Sequence, residues 1–536
     1  MMRRSTRSIR FVVLLAAACT SAAQPSSQPP PPQPPAPQPT PQPPIPQPTP
    51  PPPPPQPAPP EPVAHTPAEF GKSGIADWTK APSPTKEPAF KPPVAKRSKL
   101  KNGMSVLLVE NHKLPIVAMT LVAPGAGAAA DPDGKGGLAS FTADLLDEGA
   151  GGLSAIAIAE EQDRLGAGIG AGADVDYAQV SVSTLTKTLE PTLDLLAKIM
   201  TQPTFEQKEF DRVKGDRSIA LELRRDRPRE VVALMLNGAL YGLDTPYGHP
   251  ITGVREKFKD LTVADVQAFY KEHWNPSVMT LVIVGDFDPK LLRAKLDATL
   301  GAWKPVGVKK PVKPKVVTAK PASRLLLVDR KEAAQSDVRI GLVGLDRKDR
   351  RYYQFEVLAS TLGGGFTSRL VQRLREQMGI TYGARAGMDY RQAKGPFVIS
   401  TAIVTPKTAV GITEIITILD DLATKDVPAE ELDKSKQNLI RALPSLFDTN
   451  ASTAGAFADL ALFGLPDNWY TGYAANVRRV TAKEVKAAAK ALIPSQNMIF
   501  AVVGDMAKIR AELDKLNLGA TAMFDLYGMP LAAPPQ

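Results

Sequence analysis

Hydrophobic residues follow two periods along this chain and switch between them in order. Residues 104–110 and 116–122 are short apolar runs joined by Asn111-His-Lys-Leu-Pro115, the pattern of two strands meeting at a turn. From Gly137 to Gly149 the apolar residues Leu138, Phe141, Leu145 and Leu146 fall at helical spacing, which predicts one amphipathic helix of about three turns. Helical period continues over 156–165, 189–200, 205–225 and 230–241, with an alternating strand at 178–186. A helix (262–274), a strand (279–284), the turn Gly285-Asp286 and a helix (289–300) close the series. The pattern then begins again, with strands at 324–329 and 336–343 and a helix at 368–377 that Gly379 caps. Leu261-Thr-Val-Ala-Asp-Val266 leads to Ile283-Val-Gly-Asp286, and Val480-Thr-Ala-Lys-Glu-Val485 leads to Val502-Val-Gly-Asp505. Threonine to glycine is 23 residues in both, which implies a tandem duplication. The expected fold is α+β: two tandem homologous domains, residues 98–303 and 323–518, each an antiparallel-rich sheet covered by helices, with a tail at 519–536.

The flanking segments have a different composition. Four arginines in residues 1–10 precede an apolar stretch at 11–18, which reads as an export signal (1–18) too short to be a permanent membrane span. Cys19 is the only cysteine and follows three alanines directly, so an internal disulfide is excluded. Small residues before a lone cysteine resemble the bacterial lipoprotein signal. That resemblance implies lipidation of Cys19, a membrane contact through the lipid, and a periplasm-facing or outer-membrane place in the cell envelope. Residues 19–65 are nearly all Pro and Gln and are expected to form an extended stalk reaching on the order of 120 Å. Residues 66–97 read as an extended lead-in. The segment 304–322 carries six lysines and no acid, as a linker between domains. It supplies much of the formal charge of +10, and no aromatic-and-basic surface pattern accompanies it, so nucleic acid is not an expected partner.

Ser140 and Asp144 are four residues apart and share a helix face, with Ala143 beside them. A zinc peptidase helix would carry His, Glu and His at such positions, two imidazoles for the metal and a carboxylate for the metal-bound water. The frame Gly-Leu-Ala-x-Phe-x-x-x-Leu-Leu, followed by Gly149, resembles the first helix of the pitrilysin/insulinase family. That family's metal motif is an inverted His-x-x-Glu-His with a distal Glu. On this resemblance Ser140 takes the first His, Ala143 the Glu and Asp144 the second His. Glu222, ahead of Asp226-Arg-Pro228, takes the place of the distal ligand, and Tyr247-Gly-His-Pro-Ile-Thr-Gly253 matches a loop of the family. Two carboxylates are too few for zinc, which favours His and Cys and uses three or four ligands. The four histidines, His65, His112, His249 and His273, form no pair at helical spacing. No metal is therefore expected in this chain, and Glu222 is expected to be a leftover or a local hydrogen-bond partner.

Residues 362–382 contain Gly363-Gly-Gly365 but no following Gly-Lys-Ser/Thr, so a phosphate loop is not indicated. In the family resembled here, Leu-Arg-x-x-x-Gly-x-x-Tyr carries an arginine and a tyrosine that hold the substrate backbone near the scissile bond. The matching residues are Arg375 and Tyr382. A guanidinium and a phenol both donate hydrogen bonds, to a peptide carbonyl or to the oxyanion formed during attack. The resemblance spans about residues 98–518 and implies a division of labour. This chain would be the non-catalytic, substrate-binding subunit of a heterodimeric peptidase. Its partner, a zinc-bearing homologue, would supply His, Glu, His and the zinc that acts on a peptide. Two readings of other classes stand beside it. One is a stand-alone lipoprotein that binds peptides or scaffolds an envelope complex. The other is a hydrolase with Ser140 as nucleophile, for which no His or Lys base is evident.

Overall fold

The computed structural model describes residues 90–307 and 323–531. The expected signal with Cys19, the stalk, most of the lead-in and the linker beyond residue 307 lie outside the described residues. The first half contributes β1 (Lys96–Lys99), β2 (Ser105–Glu110), β3 (Ile116–Pro124), a short ribbon of β4 (Gly149–Ala150) and β5 (Leu153–Ser154), β6 (Gly168–Ala173), β7 (Tyr177–Leu185) and β8 (Thr280–Gly285). Its main sheet runs β1-β2-β8-β3-β7-β6. The second half contributes β9 (Leu325–Asp329), β10 (Gln335–Val343), β11 (Thr381–Met388), β12 (Pro396–Val404), β13 (Ile499–Gly504) and β14 (Thr521–Phe524), in the order β11-β12-β10-β13-β9-β14. Five strands correspond when the first sheet is read from β6, including the single parallel pair β2–β8, matched by β9–β13. The duplication read from the sequence is therefore a duplication of topology.

The sixth strands differ. β1 precedes the first repeat and pairs antiparallel with β2, whereas β14 follows the second and pairs parallel with β9. The sequence reading leaves residues 521–524 in a tail. Four half-buried residues carry too short a pattern to signal a strand, and only the open edge of β9 defines them as one.

The repeated glycine has a steric reason. Gly285 sits at φ +142°, and a Cβ there would lie 2.2 Å from the Ile116 carbonyl oxygen at the start of β3. At Gly504 a Cβ would lie 2.5 Å from Ser336 Oγ, beside the start of β10. In each repeat the strand ends where its neighbour approaches too closely for a side chain.

Burial explains why the central strands are continuously apolar. All six residues of β8 and of β13 are buried, whereas β7 alternates buried and exposed. In β8, Leu281 and Ile283 join Met119, Leu121 and Phe141 in a core under helices of the first half. Val282 and Val284 face the opposite way, into a core with Ala454, Phe457 and Ala458 of the helix Asn450–Phe463, which belongs to the second half. The converse also holds. Helix Pro228–Tyr241 of the first half lays Val231, Met235 and Leu236 on Leu326, Ile499 and Val503 of the second sheet. Each sheet therefore has one cover from its own half and one from the other. Asn450 secures the exchange: it donates to the Ile116 carbonyl at 2.9 Å and accepts from Asn111 at 2.7 Å. Arg97 adds a two-point bond to Asp467 at 2.6 and 2.8 Å.

Candidate functional site

The helix that carries Ser140, Ala143 and Asp144 spans Leu138–Asp144, seven residues rather than the expected three turns. It stops at Leu145 because the chain must turn into the ribbon at Gly149, whose φ of +145° is closed to other residues. Its amino end is held from a distance. The Asp131 carboxylate accepts from the backbone N–H of Gly137 and of Ala139, both at 2.7 Å, and so satisfies two open donors of the first turn. His249 Nε2 lies 3.1 Å from the same carboxylate, and its Nδ1 lies 2.8 Å from the Thr245 carbonyl. Burial opposes a charge on His249, but Asp131 and the nearby carbonyls outweigh it and raise the imidazole pKa. Gly137 is at φ +100°, and a Cβ there would lie 2.9 Å from Gly253 backbone, so the loop ending at Gly253 lies directly on the helix start.

Along this helix a cation meets the positions that align with the resembled metal motif. Arg217, from the helix Gln207–Glu222, donates from Nη1 to Ser140 Oγ at 3.0 Å and from Nη2 to Asp144 Oδ2. Its side chain is 13% exposed, against 34% for Asp144. Ser140 is itself buried, with Oγ 2.8 Å from the Ile251 carbonyl, and Ala143 is fully enclosed. Burial raises the Asp144 carboxyl, and Arg217 acts against that rise. Asp147, with no such partner, is pushed up to about 6 by burial and by the charges of Glu148 and Asp144.

This donor set does not fit zinc. The positions offer a hydroxyl already hydrogen-bonded, a methyl group and one carboxylate neutralised by a guanidinium. Glu222 is half-buried and engaged elsewhere: it accepts from Tyr527 Oη at 2.5 Å and from Arg255 Nη1 at 3.0 Å. Among the described residues no group of three His, Cys, Asp or Glu side chains could hold a metal ion. Ser140 likewise has no basic imidazole or amine within hydrogen-bond distance, only Arg217, which gives no support to a serine nucleophile.

Arg375 and Tyr382 come together. The expected helix around Arg375 is a short α-helical segment, Arg369–Val371, that widens into a π-helical turn over Gln372–Gln377. Gly379, at φ +63°, closes it with its N–H on the Arg375 carbonyl at 3.0 Å. A register shift between Thr381 and Ala384 in the edge strand β11 turns Tyr382 outward, where it is 85% exposed. The Arg375 guanidinium lies 4.9 Å from the Tyr382 ring centre and 5.2 Å from that of Phe366, itself 72% exposed. The sequence names the pair but not Phe366, which follows the three glycines.

Sequence reasoning also missed Arg217 and Asp131. A lone Asp144 on an inward helix face was a signal that a cation should approach it. Asp131 stood ahead of a helix start with no capping side chain at Gly137.

Two family models match the chain: insulinase (peptidase family M16) over residues 105–253, and the peptidase M16 inactive domain over residues 260–439. An uncharacterized zinc protease of Mycobacterium tuberculosis is 26% identical over 405 residues, 74% of this chain and 90% of the relative. The non-peptidase homolog YmxG of Helicobacter pylori is 24% identical over 409 residues, 75% and 92% of the two chains. A crystal structure of a peptidase M16 inactive domain from Pseudomonas fluorescens superimposes with a TM-score of 0.69 at 26% identity, covering 76% of this chain and 97% of that one. A protease from Helicobacter pylori reaches 0.72 at 18% identity, with 77% and 100% covered, and is a likeness of fold.

Proposed function

Because the chain belongs to the insulinase family, peptidase family M16, we propose that it is the non-catalytic, substrate-binding subunit of an envelope-located heterodimeric zinc peptidase. The observation that carries this reading is Arg217, a fixed cation on the two polar residues that stand where imidazoles would bind metal. The resemblance to an M16 inactive domain agrees with it. Arg375 and Tyr382 would hold the backbone of a bound peptide, the guanidinium and phenol donating to its carbonyls. The partner, a zinc-bearing homologue, would supply the metal, the two imidazoles and the carboxylate. Lipidated Cys19 and the proline-rich stalk would tether the complex to a membrane.

The test is isolation of the complex from the native host, followed by metal analysis and peptide cleavage. A stoichiometric partner bearing His-x-x-Glu-His, with cleavage that requires both chains, is the expected result. A homogeneous preparation of this chain alone that holds one zinc and cleaves peptides would falsify the proposal. Recovery as a lone peptide-binding protein would favour the stand-alone lipoprotein instead.

A further inference from the structure

A cavity of about 850 Å³ opens where the turn between β6 and β7 (residues 174–176) and Tyr177 meet the helices over the second sheet. The volume is that of a small-molecule site. Its walls are aromatic and acidic. Arg347 stacks on Tyr352 and Trp469, 4.0 and 4.5 Å from their ring centres, and so is held by the aromatic wall. Arg391 pairs with Asp389 at 2.8 Å. Asp176 is satisfied by the Tyr247 hydroxyl at 2.7 Å and the Gln392 N–H at 2.6 Å.

That leaves Glu356, Asp459 and Asp174 on the wall without an ion pair among the described residues. Glu356 accepts one hydrogen bond, from Tyr390 at 2.8 Å on Oε1, and its other oxygen has no hydrogen-bond partner among the described residues. The Tyr352 hydroxyl, on the same wall, has none either. Glu356 is half-buried and Asp459 is exposed; desolvation raises both carboxyl pKa values, and Arg347 acts against the rise without forming a salt bridge to either. Three carboxylates against the single guanidinium of Arg347 leave this wall net negative beside aromatic rings, the chemistry that receives an organic cation.

We propose that this cavity binds an organic cation, an ammonium or guanidinium group on an apolar stem, at the carboxylates of Glu356 and Asp459 with its stem against Tyr352, Tyr473 and Trp469. The proposal is independent of the substrate-binding reading above, since neither Arg375 nor Tyr382 lines the cavity. The cation is either a free polyamine or the side chain of a lysine or arginine in a peptide.

The experiment titrates the full chain with spermidine, with an acetylated lysine-containing tripeptide amide, and with the same tripeptide carrying norleucine in place of lysine. Calorimetry measures affinity, and the fluorescence of Trp469, checked against Trp469→Phe, locates it. At least one cation should saturate the site, bind at least about tenfold more tightly than the norleucine tripeptide, and weaken as salt is added. Glu356→Gln and Asp459→Asn should each weaken it by a similar factor. Saturation by spermidine alone identifies a small amine, and saturation by the lysine tripeptide alone identifies a polypeptide; both support the assignment. Absence of saturable binding, equal binding of the norleucine tripeptide, or binding unchanged in the two folded variants overturns it. Should either variant fail to fold, the comparison of charged and neutral ligands on the unaltered chain decides.

Discussion

Arg217 and Asp144 form an ion pair across the face that, in a metal-bearing relative, would turn toward the metal. The guanidinium also donates to Ser140 at 3.0 Å, so one side chain satisfies both polar remnants of the motif. A single fixed charge thus takes over the neutralising role that a dication would have, without offering a coordination position. Removing Arg217 leaves Asp144 part-buried and unpaired. Arg217→Ala should lower stability by about 2 kcal/mol, less than for a fully buried pair because Asp144 retains solvent contact. Urea unfolding checks this. In Asp144→Asn the same arginine substitution should have a clearly smaller effect, and equal effects in both backgrounds would deny the coupling.

Asp147 gives the molecule a pH dependence of known sign. Its pKa of about 6 in the folded chain lies above the ordinary aspartate value of about 3.9. Between those values the folded chain holds a proton that the unfolded chain has released. The stabilising effect of that proton is present at low pH and is lost as pH rises through about 6. Asp147→Asn should therefore leave stability near pH 4 unchanged and raise it at pH 8 by on the order of 1–2 kcal/mol. Thermal unfolding across that range measures the difference.

The strands at 104–110, 116–122, 178–186, 279–284, 324–329 and 336–343 and the first-half helices were legible because they are apolar runs or amphipathic, whereas β6, β11 and β12 and the helices Tyr352–Gly363, Thr408–Thr424, Ala429–Ala442 and Asn450–Phe463 were not read. The periodicity of residues 230–241 identified a helix, but periodicity does not say which sheet a helix covers. That the helix Pro228–Tyr241 lies on the second sheet follows only from the three-dimensional exchange. Arg375 and Tyr382 were named through the resemblance to the family's Leu-Arg-x-x-x-Gly-x-x-Tyr pattern. Arg217 was not, since 73 residues separate it from Asp144; Asp131 caps Gly137 and Ala139 only six and eight residues on, but its second partner, His249, is 118 residues away.

The helix exchange predicts that the two halves unfold together. Phe457 is fully buried between its own half and the first sheet. Phe457→Ala should lower stability by about 3–5 kcal/mol. Because this helix belongs to the second half and packs on the first sheet, calorimetry should still show one transition, moved to lower temperature, with van't Hoff and calorimetric enthalpies equal. Two resolved transitions, one of them unmoved, would show that the halves are energetically separate.

The capping of the metal-motif helix gives a second pH dependence. His249 carries a raised pKa in the folded chain, so its charged form stabilises the fold fully below the unfolded histidine value of about 6.5 and ceases to do so as pH rises through the folded value. His249→Gln should flatten this part of the stability profile. Asp131→Ala removes the acceptor for two helix N–H groups as well and should lower stability by about 1–3 kcal/mol at every pH. Equal profiles for His249→Gln and the unaltered chain would deny histidine a part in the cap.

Tyr382 is so exposed, and Arg375 so little engaged beyond Glu376 at 3.2 Å and its ring contacts, that neither is needed to hold the fold. Arg375→Ala and Tyr382→Phe should change the unfolding temperature by no more than about 1–2 °C, as for other exposed positions. Their effect should emerge in the proposed complex with a zinc-bearing partner. If the pair steadies the peptide in the ground state, KM rises and kcat holds; if it donates to the oxyanion, kcat falls with KM unchanged. Loss of one charged hydrogen bond corresponds to roughly a tenfold change or more in kcat/KM. A partnered complex that keeps full kcat/KM with both residues replaced would assign them to the surface alone.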